Sequence, residues 1–113
     1  MDTSAIPVSE LVPHGPRMTV IDRLESYDAT RSVAIANVRA DNVFLEGEGV
    51  PAWAGIEYMA QTVAAHAGAA ARLLGARPAI GFLIGTRAYR SDVAEFPLGS
   101  RLTITVQPVW TEG

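Results

Sequence analysis

Between Val50 and Gly75 the chain reads V-P-A-W-A-G-I-E-Y-M-A-Q-T-V-A-A-H-A-G-A-A-A-R-L-L-G, a run rich in alanine whose only formal charges are Glu57 and Arg72. Alanine has the highest helix propensity, so the run predicts one long helix. Pro51 suits its first turn, where a missing N–H breaks nothing, and Gly75 with Pro78 supplies a stop. Arg72 falls in the last turn, where the helix dipole favours a cation. The run approaches the length of a membrane span, but Glu57, Gln61 and His66 interrupt it. It therefore reads as the buried central helix of a soluble domain.

Glu57 is the residue out of place, a carboxylate among Trp53, Ile56, Met59 and Ala60. Burying it is costly unless it finds a partner or holds its proton. Gln61 follows one turn on, and Ala64 and Gly68 continue the same stripe. Small residues there let another backbone or a ligand come close. His66 lies about half a revolution away at roughly 100° per residue and does not share that face. Two readings of Glu57 follow: a solvated first-turn carboxylate favoured by the helix dipole, or a general acid in an apolar pocket.

With 113 residues, 49% of them hydrophobic and 19% charged, residues 1–113 are expected to form one globular domain with a modest core. A net charge of −3 and a pI near 5.2 argue against nucleic-acid binding. No cysteine is present, and His14 and His66 stand apart without a spaced carboxylate motif, so no metal site is expected. The N-terminus lacks the basic region and apolar run of a signal peptide, which leaves the cytoplasm as the expected location.

In chain order, Ser9 to Val12 reads as one helical turn capped by Ser9 and ended by Pro13. P-H-G-P-R-M follows, an irregular loop that aims His14 or leaves it on the surface. Met18–Tyr27 and Arg31–Ala40 predict a hairpin closed by Asp28-Ala29-Thr30. The segment D-N-V-F-L-E-G-E-G-V-P reads as a loop into the helix. Ala79–Tyr89 and Arg101–Val109 predict two further strands, with a turn at Phe96–Ser100, and Pro108 places the far end of the last strand at an edge. Four strands are few for so apolar a helix. Either a dimer completes the sheet or the chain is C-terminally incomplete.

The element order and three motifs carry a family resemblance. These are L-V-P-H-G-P-R-M-T-V-I-D-R at 11–23, V-P-A-W-A-G-I-E-Y-M-A-Q at 50–61, and I-G-F-L-I-G-T-R-A-Y-R with F-P-L-G-S-R-L between 80 and 102. Across nearly its whole length the chain resembles the 3-hydroxyacyl-acyl-carrier-protein dehydratases, most closely their divergent aryl-polyene branch. The resemblance implies an α+β hotdog fold, an antiparallel sheet wrapped around one long central helix. It also implies loss of water from a 3-hydroxyacyl thioester, held on the phosphopantetheine of acyl-carrier protein with no further cofactor. The family's helix acid matches Glu57 and its glutamine matches Gln61, expected on the substrate. A backbone N–H near Ala52 is expected to polarise the thioester carbonyl. The family's sites lie at a subunit interface, so a homodimer, or a heterodimer with another dehydratase subunit, is expected.

One departure stands out. Where better-known members carry a histidine in a G-H-F-P loop, this chain has F-L-E-G-E-G-V, and His14 becomes the candidate base by elimination. The expected activity is dehydration with Glu57 as acid and His14 as base. The alternatives are an acyl-thioester-binding subunit dependent on a partner, or thioester hydrolysis on the same fold. Arg87, Arg90 and Arg101 offer either a basic surface to an acidic carrier or solvated strand ends, and Trp53 and Tyr58 line an acyl pocket or belong to the core.

Overall fold

The structure is a computed structural model that describes residues 1–13, 15, 17–74 and 91–107. His14, the expected strand at Ala79–Tyr89, Arg87, Arg90 and the end of the last expected strand lie outside the described residues.

The hairpin forms around the predicted turn. Strands β1 (Arg23–Asp28) and β2 (Arg31–Asn37) pair antiparallel, with Leu24 opposite Ala34 and Asp28 opposite Arg31. One oxygen of Asp28 accepts both the N–H and the hydroxyl of Thr30, each at 2.8 Å, which closes the turn in the manner of an Asx motif. A register shift between Leu24 and Ser26 bulges β1. The strand starts at Arg23 rather than Met18, because residues 18–20 leave the ladder and meet a helix side chain instead.

The long helix also starts later than the alanine run predicts. Pro51 ends a short strand β3 (Gly49–Pro51), with extended backbone at φ −56° and ψ 143°, and a 3-10 turn (Ala52–Ala54) leads into α1 (Gly55–Leu74). Strand β3 pairs antiparallel with β4 (Glu95–Pro97) in a separate two-stranded sheet. Sequence reading made β3 part of a loop and placed a turn at Phe96–Ser100. The turn is confined to the residues after β4, where Gly99 takes the left-handed φ of 87°.

Strand β5 (Arg101–Val106) adds to the other side of β2, so the main sheet has the order β1-β2-β5. Helix α1 lies on this sheet. Ala54, Tyr58, Thr62, Ala65 and Ala69 form its buried stripe, with spacings of three and four, and meet Leu24, Ala34, Ala36 and Ile104 in one core. The N-terminal segment covers a neighbouring flank. Its 3-10 turn (Val8–Glu10) follows Pro7, and no side chain caps it, so Ser9 does not play the expected role. A Cβ built on Gly68 would overlap the carbonyl of Leu11, so the small-residue stripe admits another backbone there. Among the described residues, no helix is long and apolar enough to cross a membrane.

Candidate functional site

Glu57 sits in the first turn of α1, where the helix dipole favours negative charge. Its side chain is half-buried at the margin of the core stripe, rather than enclosed. Gln61, one turn on, donates an Nε2 hydrogen to Glu57 Oε1 at 3.0 Å. Gln61 itself is fully buried. Its Oε1 accepts the N–H of Val20 at 2.8 Å, and its Nε2 also donates to the carbonyl of Met18 at 2.7 Å. The residue expected on the substrate thus has its amide committed to three protein groups. Residues 18–20 form a strap across the helix, pinned at its near end where Met18 and Thr19 donate backbone N–H groups to the Gly15 carbonyl.

The strap is held on its other side by Asp22. One carboxylate oxygen accepts the N–H and the side-chain amide of Asn37, at 2.6 and 3.0 Å, and the other pairs with Arg39 at 2.6 Å. Asn42 performs a similar task in the segment leading to the helix. Its Oδ1 accepts the Phe44 N–H at 2.8 Å, and its Nδ2 donates to the hydroxyl of Tyr58 at 2.9 Å. Burial pushes the Tyr58 phenol above its ordinary 10.0, against the opposing effect of the Asn42 hydrogen bond.

Ala52, whose N–H is expected on the thioester carbonyl, opens the 3-10 turn. Its N–H donates to the carbonyl of Ala94 at 3.0 Å, extending the pairing of β3 with β4. The next amide, that of Trp53, precedes the first bond of the 3-10 turn and has no acceptor within the helix. Of the two aromatics expected at the site, Tyr58 is core, while Trp53 is 58% exposed and packs edge-on against Phe44 with ring centroids 5.7 Å apart. Trp53, Glu57 and Gln61 therefore follow one another at single-turn spacing from an open end to a buried one. Arg101 is exposed at the start of β5.

His66 faces away from this group, as its spacing requires. Its Nδ1 lies 2.7 Å from the hydroxyl of the fully buried Ser32, and its ring packs against Tyr27 at 4.9 Å. Burial lowers its pKa from 6.5, opposed by the charge of Asp28.

Two cavities open beside residues 8–13. One of about 700 Å³ opens between the strap, the end of β2 and the segment 41–43, with Arg17 and Arg39 among its lining. The other, about 540 Å³, runs between residues 10–13 and Ala64, Ala67, Gly68 and Ala71 of the helix, with the Glu10–Arg72 ion pair at 3.3 Å beside it. Neither is lined by Glu57. The second continues the stripe that begins at Glu57. Sequence reading did not anticipate the strap or the Asn42–Tyr58 bond. Glutamine at a stripe position was the available signal for the first.

Comparison with known proteins gives a consistent picture. No curated protein matches the chain. Among solved structures, the dehydratase heterocomplex ApeI:P from Xenorhabdus doucetiae superposes with a TM-score of 0.84 at 25% identity, covering 95% of this chain and 74% of that one. The fold is the hotdog fold, an antiparallel sheet with one long helix. The family model for ApeP-like proteins, described as ApeP dehydratase, matches residues 6–113, and the chain belongs to that family of dehydratases.

Proposed function

We propose that this protein removes water from a 3-hydroxyacyl thioester carried on acyl-carrier protein, giving the 2-enoyl thioester in a polyene-type pathway. A base takes the proton next to the thioester carbonyl, the electron pair of that C–H bond forms the double bond, and the C3–O bond breaks. Glu57 gives its proton to the departing hydroxyl, which leaves as water. The observation that carries this reading is a half-buried carboxyl in the first helical turn, hydrogen-bonded by Gln61, in a member of a dehydratase family. The helix dipole stabilises the carboxylate left behind. His14 is the proposed base and the first-turn amides are the proposed donors to the thioester carbonyl. The cavity beside Ala64, Ala67 and Ala71 gives an acyl chain room along the same helix.

Replacing Glu57 by glutamine preserves shape and removes the proton. The Glu57→Gln protein is expected to convert no 3-hydroxyacyl thioester above background. Turnover at the wild-type rate refutes the assignment, and release of free acid in place of the enoyl thioester identifies a thioesterase.

A second reading concerns the assembly. The solved relative is a heterocomplex of dehydratase subunits, and the segment F-L-E-G-E-G-V has no histidine. Both favour a subunit whose site is completed by a different dehydratase chain. Purified alone, such a chain binds acyl-carrier protein without turning its cargo over, and activity appears on adding the second subunit.

A further inference from the structure

We propose that Gln61 is a positioning residue that selects which oxygen of Glu57 holds the transferable proton, rather than a group that touches substrate. The inference rests on the dehydratase reading for its catalytic meaning, but its geometry stands apart from it. The Gln61 amide admits only one orientation, because the strap offers it one donor and one acceptor. Val20 N–H requires an oxygen opposite it, and the Met18 carbonyl requires an N–H. Flipping the amide would set oxygen against oxygen and N–H against N–H inside the core, where Gln61 has no contact with water to relieve the mismatch. With that orientation fixed by backbone, the group turned to Glu57 is the remaining Nε2 hydrogen, at 3.0 Å from Oε1. Oε1 is therefore an acceptor in both protonation states, and the acid's proton resides on Oε2.

This arrangement favours the transition state over the ground state. Before transfer, the Nε2–H bond meets a neutral carboxyl oxygen. As the proton leaves Oε2 for the departing hydroxyl, negative charge spreads to Oε1 and the same bond becomes charge-assisted, which strengthens it about twofold. An interaction that grows along the reaction raises kcat without tightening substrate binding. The strap fixes the donor in advance, so no reorganisation is needed when the charge appears.

The test uses the full chain, with the second dehydratase subunit if activity requires it. Gln61→Met keeps the volume and removes the donors. A fall in kcat on the order of tenfold to a hundredfold, with KM changed by less than about twofold, is expected. A KM increase that accounts for the loss assigns Gln61 to substrate and overturns the proposal. A readout free of turnover and of variant folding comes from the wild-type protein. The Gln61 side-chain amide resonances are expected to move together with the Glu57 carboxyl carbon through one pH titration. An amide that ignores this titration overturns the proposal even where dehydration is intact. If instead Glu57→Gln keeps its activity while the two resonances move together, the acid role falls and the orientation stands.

Discussion

Gly68→Ala sets two physical effects of opposite sign against each other at one position. In an exposed helix the change would stabilise by about 1 kcal/mol through propensity. Here the added methyl would overlap the carbonyl oxygen, carbon and Cα of Leu11. All three are backbone atoms, so no rotamer change relieves the contact. Leu11 is itself buried, and its N–H donates to the Val8 carbonyl at 2.9 Å. The segment 8–12 must lift from the helix, or the helix must tilt on the sheet. Overpacking of this kind costs about 1–3 kcal/mol, and the immobility of the opposing atoms places it in the upper part of that range. The net expectation is a destabilisation of about 1–2 kcal/mol once the propensity gain is subtracted. For a domain near this size, that lowers Tm by roughly 4–12 °C. Urea unfolding followed by circular dichroism, compared with wild type at equal protein concentration, reads the difference. A Gly68→Ala protein as stable as wild type, or more so, shows that Leu11 does not rest on the helix at this point.

Two other predictions concern groups away from Glu57. Burial lowers the His66 pKa below 6.5, so the unfolded chain binds the proton more readily. Stability from the neutral ring is therefore complete above about pH 6.5 and is lost as pH falls from there towards the folded value. His66→Gln is expected to flatten that slope in urea unfolding at pH 5–7, and an unchanged slope rules out His66 as its source. At the end of β2, Asp22→Ala removes the acceptor for the Asn37 backbone and side chain and is expected to cost about 2–3 kcal/mol. Arg39→Ala removes only a partner that is 60% exposed and should cost less than about 1 kcal/mol. Equal losses in the two variants show that the ion pair, not the Asn37 bonds, holds the strap.

The helix and hairpin are legible because their signals are local. The alanine run sets the helix, and Asp28-Ala29-Thr30 carries the turn's own hydrogen bonds. Strand β3 has no such signal. Its three residues, Gly49–Pro51, are too few to show alternation, and their partners at Glu95–Pro97 are distant in sequence. Met18–Tyr27 reads as one strand because Thr19, Val20 and Ile21 have strand-like composition. The chain departs from the ladder only because a helix side chain satisfies backbone groups that a neighbouring strand would otherwise take. The same non-local bond hides the role of Gln61, while the use of Ala52 by Ala94 depends on the pairing of β3 with β4.

Helical angles explain why the acid and its partner receive such different environments. The buried stripe is centred near Tyr58 and Ala65. At roughly 100° per residue, Glu57 lies about 100° to one side of Tyr58 and His66 about 80° to the other. Both therefore fall at the margins of the stripe, and both are half-buried. Gln61 lies about 40° from Glu57 on the side towards the core, which carries it beneath the strap. A group that must meet a substrate needs a margin of this kind. A group that must hold that carboxyl still needs the interior, where its own orientation is dictated by buried backbone. A neutral amide is buried there at far lower cost than a carboxylate. Exchanging the two side chains would place an ionisable group under the strap with no second N–H donor facing it and leave the amide at the edge.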